Sequence, residues 1–504
     1  MESRRAAPRK LAAMARGLSK TRLMSFLQCP RQLWLQEHRP DLAPPIDAET
    51  QALFDTGHAV GAIARQTYDH GAGAMIEYDA GLAAAMAETE RLLRDPSVTP
   101  VFEATFQRAG LLVRTDVLER SGQSSPRVIE VKASTKVKDE HVTDCAIQAW
   151  VLEPTRVRPT SMALAHVDNR FVYRGDGNYS GLLVEKDINE NVAAQVPEVP
   201  KWLRNAMRTL AAEEPRVPVG VHCSSPYACP FTAYCWPGTD YPLTDLPGIG
   251  RKLDALVARG YVDVRDVPDG MISGADQERV RAAIRSGKPI VDRHALRAEL
   301  SALPYPRHHL DFETISFAVP IWAGTRPYQQ LPFQWSLHIE KSARGQPEHA
   351  ECLDLSGAAP MRHVAERLIE AVGPTGPVLM YTSFERQCLA TLATCCPDLA
   401  ARLEAISDRL VDLHPIIKRN YCHPDMHGSW SIKAVLPAIA PDMDYALLDE
   451  IQDGGAAQRA YLEAIHPATP ATRRAEIRER LLRYCAHDTL AMVRLAGWCQ
   501  GSFR

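Results

Sequence analysis

"GLLVRTDVLERSGQSSPRVIEVKAST", residues 110–135, decides how the first half of this chain is read. Two runs rich in β-branched and aliphatic residues flank the turn-forming "SGQSSP", the pattern of an antiparallel hairpin with a longish loop. With the loop centred near Gln123, Asp116 and Glu130 each lie seven residues away and face one another across the ladder, their Cβ atoms ~5 Å apart. Lys132 follows Glu130 by two and points to the same face, whereas Ile129 and Val131 point to the other, toward a core. Two facing carboxylates can share a divalent cation, and the ammonium beside them can meet charge developing on a phosphate. An amphipathic surface hairpin with a solvated ion pair has the same residues, so the hairpin alone leaves both readings open.

Composition narrows the choice. At 504 residues the chain exceeds one ordinary domain, and about two to four are expected. Hydrophobic residues at 45% and charged residues at 24% are a globular balance, and no run approaches eighteen apolar residues, so no membrane span is expected. The start, "MESRRAAPRKLAAMARGLSKTR", is basic and has neither an apolar core nor a cleavage site, which reads as cytoplasmic. It is a solvated arm or one that touches nucleic acid. The net charge of −3 excludes a protein that coats a polyanion with its whole surface, so any nucleic acid is held in local grooves. Twelve cysteines without an export signal suggest metal-oriented thiols and not a disulfide framework.

Shifts in composition divide the chain into a basic arm (1–17) and three modules, 18–240, 241–290 and 291–504. The fold class expected is α/β and multidomain. No internal repeat or low-complexity tract interrupts it.

Followed by "DCAIQAWVL", the hairpin resembles the D…E-x-K core and trailing glutamine of RecB-type PD-(D/E)xK nucleases. The resemblance implies that Asp116 and Glu130 ligate Mg²⁺ or Mn²⁺, that Lys132 is the catalytic lysine and that Gln148 positions substrate or active-site groups. Many members carry G-x3-H upstream as a further ligand. Here "DTGHAVGAIARQTY" has Gly61 at the histidine's place, with His58 as the available substitute.

The iron–sulfur branch of these nucleases has one cysteine near the N-terminus and three after the nuclease core, holding a 4Fe–4S cluster that clasps the two ends. By that resemblance Cys29, in "SKTRLMSFLQCPRQLWL", joins Cys223, Cys229 and Cys235 of "HCSSPYACPFTAYCW" as four thiolate ligands in a structural role. The spacing C-x5-C-x5-C departs from the C-x2-C-x5-C of the best-known members and matches no short zinc-ribbon knuckle. A zinc site and free buried thiols stay open as alternatives.

In the middle module, "DLPGIGRKLDALVARGY" places P-G-I-G between two helical stretches and resembles a helix-hairpin-helix unit. Gly248 and Gly250 permit close backbone approach, and Arg251 and Lys252 stand next to the outward amides, an arrangement suited to a nucleic-acid phosphate. A structural linker using Pro-Gly as a turn is the alternative.

The third module opens on "HHLDFETISF", whose alternation sets Asp311 and Glu313 on one strand face and Leu310 and Phe312 on the other. Near the far end "RYCAHDT" puts Tyr484 and Asp488 four apart, on one helix face. In this order they resemble the first and last motifs of a DEDD exonuclease on an RNase H-like fold, of the tyrosine subclass. The middle motif falls on "VLMYTSFERQCLATL", with Glu385 where aspartate is usual and Asp412 as the alternative acid. "GSWSIKAVLP" resembles the segment before the last helix, with Lys433 a candidate nucleic-acid contact, and His487 reads as structural.

No P-loop, G-x-S-x-G or HExxH competes with these motifs. The whole resembles a bacterial family that joins a RecB-like iron–sulfur nuclease to an RNase H-like exonuclease. A metal-dependent nuclease acting on DNA single strands or ends, 3′→5′ in its C-terminal half, in repair or defence, is the function implied. Gly61 and Glu385 support a rival, a nucleic-acid-binding scaffold with one or both sites degenerate. RNA processing by the C-terminal half is the third reading.

Overall fold

A computed structural model describes residues 17–120, 126–236, 238–448 and 450–501, except the side chain of Leu447. Most of the basic arm and the loop centre at Gln123 lie outside the described residues. The chain is α/β and divides into two compact units, Met1–Pro237 and Gly238–Arg504. Among the described residues no helix is long and apolar enough to cross a membrane.

The first unit is built on a mixed sheet. Its strands are β1 (Leu18–Ser19), β2 (Ala74–Met75), β3 (Val101–Arg108), β4 (Leu111–Glu119), β5 (Arg127–Lys132), β6 (Ser161–Val167) and β7 (Leu183–Asp187). They lie in the order β2-β3-β4-β5-β6-β7, and β1 pairs with the start of β4. β4 and β5 form the antiparallel hairpin, while β5 and β6 run parallel, joined through the helix Asp139–Leu152. Both sheet faces are covered, which is why β5 is apolar on each side of its charged residues. Leu118, Val128 and Leu164 meet Cys145 and Ile147 of that helix, and Val117, Ile129 and Ala163 meet Ala64 and Tyr68 of the helix Ala48–Tyr68.

In the second unit β8 (Ile290–Val291) pairs with β14 (Tyr421–Cys422). The main sheet holds β9 (Arg307–Ile315), β10 (Leu331–Glu340), β11 (Glu348–Leu353), β12 (Val378–Met380) and β13 (Leu410–Asp412). Their order is β11-β10-β9-β12-β13; β10 is antiparallel to both neighbours, and β12 is parallel to β9 and β13. Leu310 and Phe312 face the core with Leu337 and Trp335, whose indole donates to the Val364 carbonyl at 3.0 Å. The other face meets the helix Ala471–Gln500: Gln334 Nε2 donates to the Leu481 carbonyl at 2.8 Å, and the Ser336 and Thr489 hydroxyls meet at 2.7 Å. Those two polar contacts fix the rotation of the long helix over β10.

The 241–290 segment belongs to this second unit. Ahead of P-G-I-G stands a single 3₁₀ turn, Leu243–Asp245, in place of the first helix expected from the motif, and behind it the short helix Lys252–Ala258. Pro242 and Pro247 bracket too few residues for an α-helix to nucleate.

Candidate functional site

In the first unit, Val117 pairs with Ile129 and Leu118 with Val128, the register that sets Asp116 opposite Glu130. Glu130 is buried, and its Oε1 lies 2.6 Å from Lys132 Nζ. Gln148, fully buried on the helix Asp139–Leu152, donates to Glu130 Oε2 at 2.7 Å, and its own Oε1 has no partner. Asp116 Oδ2 accepts from the Val131 amide at 2.7 Å.

Two residues that the sequence reading missed complete the group. Lys20 Nζ lies 3.1 Å from Glu130 Oε1 and 2.8 Å from Asp144 Oδ1, and Lys132 Nζ lies 2.8 Å from Asp144 Oδ2. Asp144 had a signal, since it precedes Gln148 by four on one helix face. Lys20 had none, lying in a basic segment far from the hairpin. Burial, then the charge of Glu130, pushes the Asp116 carboxyl up to about 7. Burial opposes the charge on both lysines, but Asp144 and Glu130 outweigh it and hold their ammoniums above the usual range. Burial likewise opposes ionisation of Asp144, and the two lysines reverse it, leaving that carboxylate well below its usual range.

Beside Asp116 and Lys132 opens a cleft of about 280 Å³, whose far wall is Gly57, His58, Gly61 and Arg65. His58 is exposed there, and a side-chain carbon built at Gly61 would meet nothing closer than Arg65 Nη1 at 3.7 Å. The missing histidine therefore leaves open space at the rim, and His58 stands one turn away.

Cys29, Cys223, Cys229 and Cys235 line one pocket of the same unit. Gln28 donates to the carbonyls of His222 and Tyr227 at 2.8 and 2.6 Å, and the Trp34 indole donates to Ala212 at 3.1 Å, so hydrogen bonds join the two ends independently of the thiols. Burial, with the other three thiols adding, pushes Cys229 up to about 11. Among the described residues no three of these sulfurs lie within 4.8 Å of one another.

The second unit assembles an acid cluster from three remote segments. Asp311 and Glu313 stand on β9, Glu385 in the first turn of the helix Phe384–Cys395, and Tyr484, Cys485 and Asp488 on the long helix. Glu385 is 2% exposed, lies against Asp311, and its Oε2 has no hydrogen-bond partner. Burial first, and neighbouring carboxylates next, hold Asp311, Glu313 and Glu385 well above the usual carboxylate range. Burial also raises Asp488, against the hydroxyl of Tyr445, which donates to its Oδ1, and against the charge of Lys433. Lys433 Nζ donates to the Gln452 carbonyl at 2.7 Å and to the Tyr484 oxygen at 3.1 Å. His487 reaches the Met443 carbonyl at 3.1 Å.

Asp412 lies apart from this cluster in its bonding. Its Oδ1 caps the helix Leu413–Asn420 through the His414 amide at 2.9 Å and accepts from the Thr382 amide at 3.0 Å. Thr382 has φ of +82°, a conformation that a β-branched residue rarely adopts, and this turn carries the chain from β12 into the helix that bears Glu385. Asp412 thus holds the turn, and Glu385 occupies the cluster.

At the hairpin, Gly248 and Gly250 take φ of +63° and +46°, which their neighbours could not adopt without strain. They are exposed together with Arg251 and Lys252, and Lys252 Nζ donates to the Ser273 hydroxyl at 2.8 Å.

Residues 308–431 match the domain of unknown function DUF2779, which takes in Asp311, Glu313, Glu385 and Asp412 and ends before Lys433, Tyr484 and Asp488. The chain is also similar to "Uncharacterized protein MG366 homolog" of Mycoplasma pneumoniae, 28% identical over 207 residues, which cover 37% of this chain and 31% of that protein's length.

Proposed function

We propose that this chain is a divalent-metal-dependent nuclease that hydrolyses phosphodiester bonds of DNA, taking single strands or ends and releasing nucleotides 3′→5′ at the C-terminal acid cluster, in repair or defence. The observation that carries the reading is the convergence of Asp311, Glu313, Glu385 and Asp488 in one buried cluster, every carboxyl held above its ordinary range. Burying like charges is costly unless a cation compensates them, so the donor set fits one or two divalent ions. Such ions would neutralise charge on the phosphate and supply an activated water. Tyr484, whose phenol oxygen accepts from Lys433, would orient that water beside Asp488. The mixed sheet, with the acid-bearing strand under the terminal helix, supports an RNase H-like fold.

For the first unit we propose a RecB-like PD-(D/E)xK site built from Asp116, Glu130, Lys132 and Gln148, and a 4Fe–4S clasp held by the four cysteines. One observation favours the scaffold reading for this unit: Glu130 and Asp144 each already contact two lysines, so a cation must displace an ammonium to enter.

The test is a Mn²⁺ titration against labelled single- and double-stranded DNA and RNA, with free and blocked 3′ ends. Asp311→Ala, Glu313→Ala and Asp488→Ala should each lower 3′→5′ release by ~10³-fold or more, and Lys132→Ala should leave it intact. Degradation that ignores a blocked 3′ end overturns the exonuclease, and cleavage of RNA alone moves the reading to RNA processing.

A further inference from the structure

The acid cluster contains a thiol. Cys485 directly follows Tyr484, is fully buried, and its Sγ lies 3.6 Å from Asp311 Oδ2 and 3.8 Å from the Asp311 carbonyl oxygen. Among the described residues, Asp311, Glu313 and Cys485 are the one group of three or more His, Cys, Asp or Glu whose ligand atoms all lie within 4.8 Å of one another. Zn–S of ~2.3 Å and Zn–O of ~2.1 Å at a tetrahedral angle put sulfur and oxygen ~3.6 Å apart, the separation found between Cys485 and Asp311. Glu385, buried against Asp311 with one oxygen unpartnered, is available as a fourth donor.

We infer that Asp311, Glu313 and Cys485 form a binding site for a thiophilic divalent cation of the zinc type, which competes with Mg²⁺ for the same carboxylates. Mg²⁺ demands oxygen ligands in near-octahedral geometry, and sulfur adds nothing to its affinity. Zn²⁺ and Cd²⁺ gain a metal–sulfur bond, formed as the thiol gives its proton to solvent. Zinc held at Cys485 occupies Asp311 and Glu313, and so inhibits whatever Mg²⁺ supports there. The inference rests on the proposed reading of the cluster as a cation site; it does not need the site to be a nuclease.

The experiment uses the full-length protein and Cd²⁺ as the probe, read by the ultraviolet thiolate-to-cadmium charge-transfer band in wild type and in Cys485→Ala. Because other thiols also bind cadmium, the difference between the two proteins is the signal. The expected result is one equivalent of Cd²⁺ and its band lost from the variant. Calorimetry should show Zn²⁺ affinity lowered ~10-fold or more, with Mg²⁺ affinity changed less than ~2-fold. Asp311→Asn should lose both ions. If Cys485→Ala does not fold, Cys485→Ser, which keeps the shape, decides by the same readings. Identical cadmium stoichiometry and band in wild type and variant overturn the inference. Nuclease activity without a Cys485-dependent band defeats only this inference, and a Cys485-dependent band in a protein that cuts nothing defeats only the nuclease reading.

Discussion

Lys20 and Glu130, 110 residues apart in the chain, meet at 3.1 Å, and the helix Lys20–Gln28 is capped at its C-terminus by Cys29. One short helix and its cap therefore carry both a cation of the carboxylate site and a thiol of the cysteine pocket. Removing Lys20 leaves Glu130 and Asp144 with Lys132 alone, a buried imbalance that costs ~3 kcal/mol in comparable pairs. Lys20→Met should lower the urea midpoint of the metal-free protein accordingly, and Mg²⁺ should restore part of the loss. A midpoint that does not move would show the contact to be energetically idle.

Asp116 sets a pH dependence. Its folded value of about 7 lies above the ordinary 3.8, so between those values the folded state binds more protons than the unfolded one. Its contribution to metal-free stability is therefore largest at low pH and declines as pH rises from about 4 to 7. Cation uptake needs the ionised form, so Mn²⁺ affinity of the first unit should tighten up to ~10-fold per unit as pH approaches 7 and level off above it. Calorimetry in an Asp311→Asn background reads this, and a flat profile removes Asp116 as a ligand.

Glu385 and Asp412 separate by role. Glu385→Gln removes a carboxyl that burial keeps from ionising as it does in the unfolded chain, and should raise the metal-free melting temperature by ~3–6 °C while abolishing cation-induced stabilisation. Asp412→Asn keeps an acceptor for the Thr382 and His414 amides and should preserve activity within ~3-fold, whereas Asp412→Ala should cost ~1–2 kcal/mol through the lost cap. Melting curves with and without Mn²⁺ check both. Loss of cation binding in Asp412→Asn, with Glu385→Gln intact, would exchange their roles.

The cysteine pocket predicts colour. Purified protein should be brown and contain about four irons per chain. Cys229→Ser should lose the visible absorbance and iron together, and solubility with them, since four ligands tie segments far apart in sequence. The hydrogen bonds of Gln28 and Trp34 should keep the two ends associated in native-state hydrogen exchange. A colourless protein with stoichiometric zinc would falsify the cluster.

Strand periodicity and turn chemistry were legible without a structure. Counting outward from Gln123 sets Asp116 against Glu130, and the pairs Val117 with Ile129 and Leu118 with Val128 carry that register. The alternation of "HHLDFETISF" likewise separates Asp311 and Glu313 from Leu310 and Phe312, because side chains reverse direction at every strand residue. The helix expected before P-G-I-G is a single 3₁₀ turn, since flanking prolines outweigh a motif's average form.

What no local pattern could supply is the meeting of remote side chains. Lys20 reaches both Glu130 and Asp144, Tyr445 reaches Asp488, and Cys485 turns toward Asp311 only because packed helices bring them there. The choice of Glu385 over Asp412 is of the same kind. Both acids stand at similar strand-to-helix junctions in sequence, and backbone amides at Thr382 and His414 claim one carboxylate, leaving the other to face Asp311. Sequence determines which face of an element a residue occupies, since that depends on periodicity alone. Which faces meet, and which carboxylate oxygen is left without a hydrogen-bond partner, depends on packing across the whole unit, and only the tertiary structure decides it.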